Sequence, residues 1–241
     1  MVGMQSVFFI GAHPDDSEGF AGTAFLLGRR YEIHLVDLTR GERGLGPAGQ
    51  ADGSTGRIRM AEENAACRLV PAVPHFLCEV NGDCHASARA VEELQALLAE
   101  FRPRAVFTHW PLDRHADHVQ CTAVVASALD VLFRRDRWKP ELYFYEVLEE
   151  QTCQFRPCYS VDISSMLARK VEMLRCYACQ NPEDELVRVK VEQARKRGRE
   201  RRPPVDAAEV FATLDGLPVE GGVFADIEES VEEKMGKGTV A

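Results

Sequence analysis

The chain alternates short, continuous apolar runs with longer stretches in which apolar residues recur at helical spacing. That alternation is the signature of β-α-β units on a parallel sheet whose strands are buried on both faces. Residues 7–12, 33–38, 73–78, 105–108, 142–147 and 159–163 read as strands. Helices are predicted over 16–30, where Phe20, Ala24 and Leu27 share a face, and over 57–69. Residues 87–101 follow with Val91, Leu94, Leu97 and Leu98 on one side, Ser87 as N-cap and Pro103 as the stop. Further helices are predicted over 115–133, 164–178 and 182–197, with Gly198 ending the last. The expected fold is α/β, a Rossmann-like three-layer arrangement with a mostly parallel sheet. No internal repeat is present.

Between the second strand and the second helix, residues 40–56 hold six glycines in 17 residues. Loops of that length in compact domains are commonly lids or binding loops. Residues 1–211 are expected to form one domain, and residues 212–241 a peripheral or partly disordered tail.

The formal charge of −9 argues against a nucleic-acid surface. The basic run 190–202 reads as a solvated helix face. No stretch reaches the roughly 18 consecutive apolar residues of a membrane span, and residues 1–5 lack the basic region of a signal peptide. The expected location is the cytoplasm, with the eight cysteines reduced. Cys176 and Cys179 are the only Cys-x-x-Cys pair; without a second pair they read as small packing residues rather than a structural zinc site.

Two segments carry candidate chemistry. The first is Gly11-Ala12-His13-Pro14-Asp15-Asp16-Ser17-Glu18, between a strand and a helix. Ligands bind at the carboxyl ends of strands in such sheets. Four ionisable groups within six residues are costly unless a cation neutralises them, although Asp15 and Asp16 alone could simply cap a helix. The second segment is Thr108-His109-Trp110-Pro111-Leu112-Asp113-Arg114-His115-Ala116-Asp117-His118. It holds three of the seven histidines, and it too follows a buried strand. Both segments are expected at one sheet edge, where they can converge on one metal.

Together they resemble the PIG-L/LmbE-like family of zinc-dependent N-acetylglucosaminyl deacetylases. Its AHPDD motif is matched by residues 12–16, followed by Glu18 and Gly22-Thr23. Its HPDH motif is matched by His115-Ala116-Asp117-His118, with Ala116 replacing a proline that supplies no chemical group. Weaker matches are Arg59 to Glu62 with Ala66, Lys170 with Cys179-Gln180, and Ala208-Glu209-Val210-Phe211.

The resemblance implies that His13, Asp16 and His118 bind Zn²⁺, leaving one position open to water. It makes Asp15 the general base, and His115 the group that stabilises the oxyanion or protonates the leaving amine. Asp117 is expected to accept the other ring N–H of His115. Arg59, Asp83 and Arg114 are candidate substrate contacts; Arg59 reads equally well as a surface ion pair with Glu62 or Glu63. Asp113 is expected to orient the second motif, and Glu18 to support the ligands. The implied partner is a small-molecule N-acetyl amino sugar, with homo-oligomerisation possible and neither nucleic acid nor membrane involved. Related amidases of thiol-sugar conjugates share these motifs. A nucleotide-binding module is disfavoured because no Gly-x-Gly-x-x-Gly follows the first strand. A non-catalytic metal protein is disfavoured because every acid/base residue is present.

Overall fold

The computed structural model describes residues 4–44 and 54–227. Among these described residues seven strands form one sheet: β1 (Ser6–Gly11), β2 (Glu32–Asp37), β3 (Ala72–Phe76), β4 (Ala105–His109), β5 (Glu141–Tyr145), β6 (Tyr159–Asp162) and β7 (Ala208–Ala212). Their order is β3-β2-β1-β4-β5-β7-β6. The first five strands are parallel, while β7 is antiparallel to both β5 and β6. The chain winds outward from β1 to β3, then returns to β4 on the other side of β1. The switch point of the sheet therefore lies between β1 and β4.

Alternation along the strands sends side chains to two cores. Val7, Phe9, Leu35 and Phe107 face α1 (Ala21–Leu27), α2 (Ser54–Leu69), α5 (Leu167–Leu174) and α6 (Glu185–Glu200). Phe8, Ile10, Val36 and Val106 face α3 (Ala88–Phe101) and α4 (Ala116–Asp136). This is the expected three-layer architecture. By length and composition alone α4 would fit a membrane span, but its stripe of Cys121, Val125, Ala128 and Leu132 is buried in the second core. Ser87 caps α3 as expected, accepting from the Ala90 N–H at 3.1 Å.

Several local expectations are corrected. The first helix is broken: residues 16–19 form a 3-10 turn, and α1 begins at Ala21. β7 is a strand that the hydrophobic pattern does not predict. Gly198 does not end α6 but lies inside it, buried against the chain that returns to β7. A Cβ at this position would lie 2.5 Å from the Val205 carbonyl oxygen and 2.9 Å from the Ala207 nitrogen. Neither backbone atom can yield easily. Gly198→Ala is therefore expected to destabilise the protein by about 1–3 kcal/mol, the cost of overpacking. Urea denaturation measures this, and an unchanged midpoint would contradict the close packing.

The basic run is also not uniformly solvated. Val187, Lys190, Ala194 and Gly198 form the buried stripe of α6. Lys190 meets Glu18 at 2.8 Å, and Arg197 meets Glu146 at 2.7 Å.

The segment beyond residue 211 is not wholly peripheral. Residues 223–227 are helical, and Val223, Phe224 and Ile227 join the first core. Asp226 accepts from Arg30 at 3.1 Å and from the Tyr31 hydroxyl. The rest of the expected tail, and the centre of the glycine-rich loop at 45–53, lie outside the described residues.

Candidate metal centre and active site

The two motifs leave the carboxyl ends of β1 and β4, on either side of the switch point, and meet beneath a cleft of about 450 Å³. His13, Asp15, Asp16, Glu18, His115 and His118 all line it.

Asp16 is fixed first. Its Oδ2 accepts from the backbone N–H groups of Ala12 and His13, both at 2.8 Å, and lies 3.0 Å from His109 Nε2. Its Oδ1 lies 3.4 Å from His118 Nε2. Burial opposes ionisation of Asp16, but His109 and His118 hold its carboxyl well below the usual range. His13 Nε2 donates to Asp117 Oδ2 at 3.0 Å, leaving Nδ1 3.6 Å from Asp16 Oδ2. His118 has Nδ1 3.2 Å from Asp113 Oδ2, which turns Nε2 toward Asp16. Burial disfavours charge on both rings. Even so, Asp117 and Asp16 push His13 up to about 9, and Asp16 and Asp113 push His118 up to about 10. The cluster calls for positive charge.

Ring orientation shows which imidazoles can share an ion with His118; His13 is also steeply inclined to His115, at 70° with centroids 4.9 Å apart. An imidazole binds an ion along a nitrogen lone pair, close to the ring plane. The planes of His13 and His118 are tilted by 55°, with centroids 5.4 Å apart, so both can aim at one point. His109 and His118 are stacked at 3.9 Å and 4°, and His115 and His118 at 4.5 Å and 18°. Near-parallel stacked rings have no nearby common point in their planes. Nitrogen and oxygen atoms of His13, His115 and His118, and those of Asp16, His109 and His118, cluster within 4.8 Å. His13, Asp16 and His118 are linked by the 3.6 and 3.4 Å approaches of Asp16 to the two rings, and those two rings are mutually tilted.

Asp15 adopts φ 117°, a region costly for a residue with a side chain. Its Oδ1 accepts from Arg59 Nη2 at 2.6 Å, and the same nitrogen reaches the Pro14 carbonyl. Burial pushes Asp15 up to about 7, against the opposing charge of Arg59. Arg59 is itself buried, so it is not a surface ion pair with Glu62 or Glu63. Gly41, with φ 69°, crosses its side chain so closely that a Cβ would sit 2.5 Å from Arg59 Cδ.

The expected pairing of Asp117 with the His115 ring is corrected. The first turn of α4 directs the Asp117 carboxylate back to His13 and to the Gly82 N–H at 2.6 Å. Burial would raise its pKa, but these donors hold Asp117 below the usual carboxylate range. His115 instead caps α4, its Nδ1 accepting from the Asp117 N–H at 3.2 Å. That contact places the ring proton on Nε2 in the neutral form. Burial, followed by the charges of His118 and His13, lowers the His115 pKa.

Asp83 and Arg114 are exposed and do not line the cleft. The Asn81–Gly82 turn gives its backbone to Asp117, which leaves Asp83 facing Arg43 at 3.6 Å. Asn81, Arg43, Gln151 and Gln180 line the cleft instead. His109 was not singled out from the sequence. Its signal was a histidine at the end of a buried strand, where ligand sites gather.

Residues 8–129, just over half of the chain and spanning both motifs, match the family PIG-L, described as GlcNAc-PI de-N-acetylase. The chain belongs to the PIG-L family. PIG-L-like folds recur among solved structures. The 4-carboxy-2-hydroxymuconate hydratase GalB of Pseudomonas putida KT2440 is 22% identical, with a TM-score of 0.78 over 90% of this chain and 99% of that one. The N,N'-diacetylchitobiose deacetylase of Pyrococcus horikoshii is also 22% identical, with a TM-score of 0.75 over 92% and 88%. The conserved protein TT1542 of Thermus thermophilus is 24% identical, with a TM-score of 0.73 over 90% and 97%. These likenesses establish the fold.

The weaker PIG-L matches prove to be contacts that brace the site. Lys170 donates to the Glu18 carbonyl at 2.7 Å and to Glu209 Oε1 at 2.6 Å. Glu209 in turn accepts from the N–H groups of Gly22 and Thr23 and from the Thr23 hydroxyl, at 2.7–2.9 Å. Cys179 is not mere packing: its N–H and thiol both donate to Glu62, at 2.9 and 2.8 Å. Gln180 holds the Gly44 carbonyl at 2.7 Å.

Proposed function

We propose that this PIG-L protein is a zinc-dependent hydrolase that removes the N-acetyl group from a small molecule containing N-acetylglucosamine. The observation that carries the reading is the convergence of His13, Asp16 and His118 beside Asp15 and His115 in one open cleft. Two imidazole nitrogens and a carboxylate oxygen form the donor set of a catalytic zinc site. Each has a partner or close neighbour behind it: Asp117 for His13, Asp113 for His118, and two backbone N–H groups for Asp16. Iron or cobalt would accept the same ligands.

His13, Asp16 and His118 would hold the zinc ion, which would supply Lewis acidity toward the acetamide carbonyl and the attacking water. Asp15, aimed by its backbone and by Arg59, takes the proton from the attacking water through the oxygen that Arg59 leaves available. His115 presents Nε2–H to the developing oxyanion, and the proton that Asp15 has taken from water passes to the departing amine nitrogen as the C–N bond breaks. Asn81, Gln151 and Gln180 offer amide groups suited to sugar hydroxyls, and Arg43 can reach a charged or hydroxylated substituent. The GalB likeness places a hydratase on the same scaffold, so the reaction must be tested directly.

The test is acetate release from N-acetylglucosamine, its disaccharide, and its malate and inositol glycosides. Each is assayed before chelation, after chelation and after zinc is restored. Release from at least one compound, abolished by the chelator and regained with zinc, is the expected result. A zinc-loaded protein that releases acetate from none of them would overturn the reading.

A further inference from the structure

His109 takes no part in the proposed chemistry. It ends β4, has no exposed surface and does not line the cleft. We infer that His109 is a positioning residue that fixes the Asp16 carboxylate so that Oδ1, and not Oδ2, faces the metal position. The inference rests on the zinc-site reading above.

Proton placement decides the role of the ring. His109 Nε2 lies 3.0 Å from Asp16 Oδ2, while Nδ1 is buried without a hydrogen-bond partner among the described residues. A proton on Nδ1 would bury an unsatisfied donor and set a nitrogen lone pair against a carboxylate oxygen. A proton on Nε2 leaves only a ring lone pair unmet, the smaller penalty. His109 therefore donates Nε2–H to Oδ2. The Ala12 N–H lies 2.8 Å from Oδ2 and 3.0 Å from Nε2, and the carboxylate is the stronger acceptor. The Tyr145 hydroxyl, 3.4 Å from Nε2, donates to the Ile10 carbonyl at 3.2 Å.

Oδ2 thus receives three donors: the N–H groups of Ala12 and His13, and the ring of His109. It has no capacity left, and Oδ1 remains beside His118 Nε2. Terminal carboxylate torsions are soft, so without such donors the group would rock. A neutral imidazole supplies the third donor without placing a cation beside a divalent ion, as Lys or Arg would. His109 is not itself a ligand in this arrangement, because its ring stacks parallel on His118 and lies behind Asp16.

The test compares wild type, His109→Phe and His109→Gln. Zinc affinity is measured by competition with a chromophoric chelator, and thermal stability is measured on the metal-stripped proteins. Wild type is expected to bind one zinc. His109→Phe is expected to bind it roughly 10–100-fold more weakly, the usual effect of removing a ligand's supporting partner. His109→Gln, which restores an N–H donor, is expected to recover most of that loss and to keep the wild-type cobalt(II) absorption spectrum. A folded Phe variant with wild-type affinity would overturn the inference. So would a Gln variant with an altered cobalt spectrum, which would make His109 a ligand. If the Phe variant does not fold, the affinity and spectrum of the Gln variant decide: retention of both supports the donor role, and loss of either overturns it. Failure of wild type to bind zinc would overturn the metal-site reading itself.

Discussion

Asp15→Asn is expected to lower turnover by about 10²–10⁴-fold, the usual contribution of a general base, while zinc content stays at the wild-type level. The substitution is nearly isosteric and keeps an oxygen for Arg59, which donates to Oδ1 at 2.6 Å. The Asp16 carboxylate and the His13 and His118 rings are untouched, so the metal position should persist. What disappears is basicity. The loss corresponds to about 3–5 kcal/mol of transition-state stabilisation. Steady-state kinetics paired with metal analysis separates the outcomes. A variant within tenfold of wild type would remove Asp15 from the base role. Activity and zinc lost together would make Asp15 a ligand.

Lys170→Met should cost about 3–5 kcal/mol of stability, the penalty for breaking a buried ion pair from one side. Lys170 and Glu209 are both almost fully buried, and their contact of 2.6 Å joins α5 to β7. Glu209 also holds the first turn of α1 through Gly22 and Thr23, so its charge cannot simply turn toward solvent. For a protein of this size the loss should appear as a fall in Tm of roughly 6–20 °C. The double variant Lys170→Met, Glu209→Gln should recover much of it, because neither partner then buries a charge. Denaturant unfolding of the three proteins measures the pattern. A single variant within about 1 kcal/mol of wild type would show that the pair is energetically idle.

How much of this was legible in the sequence depended on the range of the interaction. The strands β1, β2, β4 and β5 were readable because burial on both faces leaves uninterrupted apolar runs such as Val7-Phe8-Phe9-Ile10. The placing of both motifs at one edge followed from the parallel winding. β7 was missed because five residues after Pro203 and Pro204 resemble the close of a domain, and only long-range pairing with β5 and β6 makes them a strand. Lys190 was misread because composition shows a basic run but not which of its members meets a buried carboxylate. The Asp117 partner was misassigned because proximity in sequence favoured His115, whereas the cap geometry of α4 turns the carboxylate toward His13. Arg59 could not be assigned before its helix was docked on the first motif.

The order of the strands bears on how the protein is made. β6 is synthesised before β7 but lies beyond it and, among the described residues, is joined to the sheet only through it. Until β7 emerges, the outer edge of β5 is unpaired and β6 has no sheet to join. The aromatic wall of Phe107 and Tyr143 waits longer, for Phe224. Both sequence motifs are complete by His118, well before their scaffold can close. A growing chain therefore carries an open strand edge and an uncovered apolar wall through the second half of its synthesis, when aggregation risk is greatest. A chain stopped after α6 should need chaperone protection rather than behave as a smaller working domain.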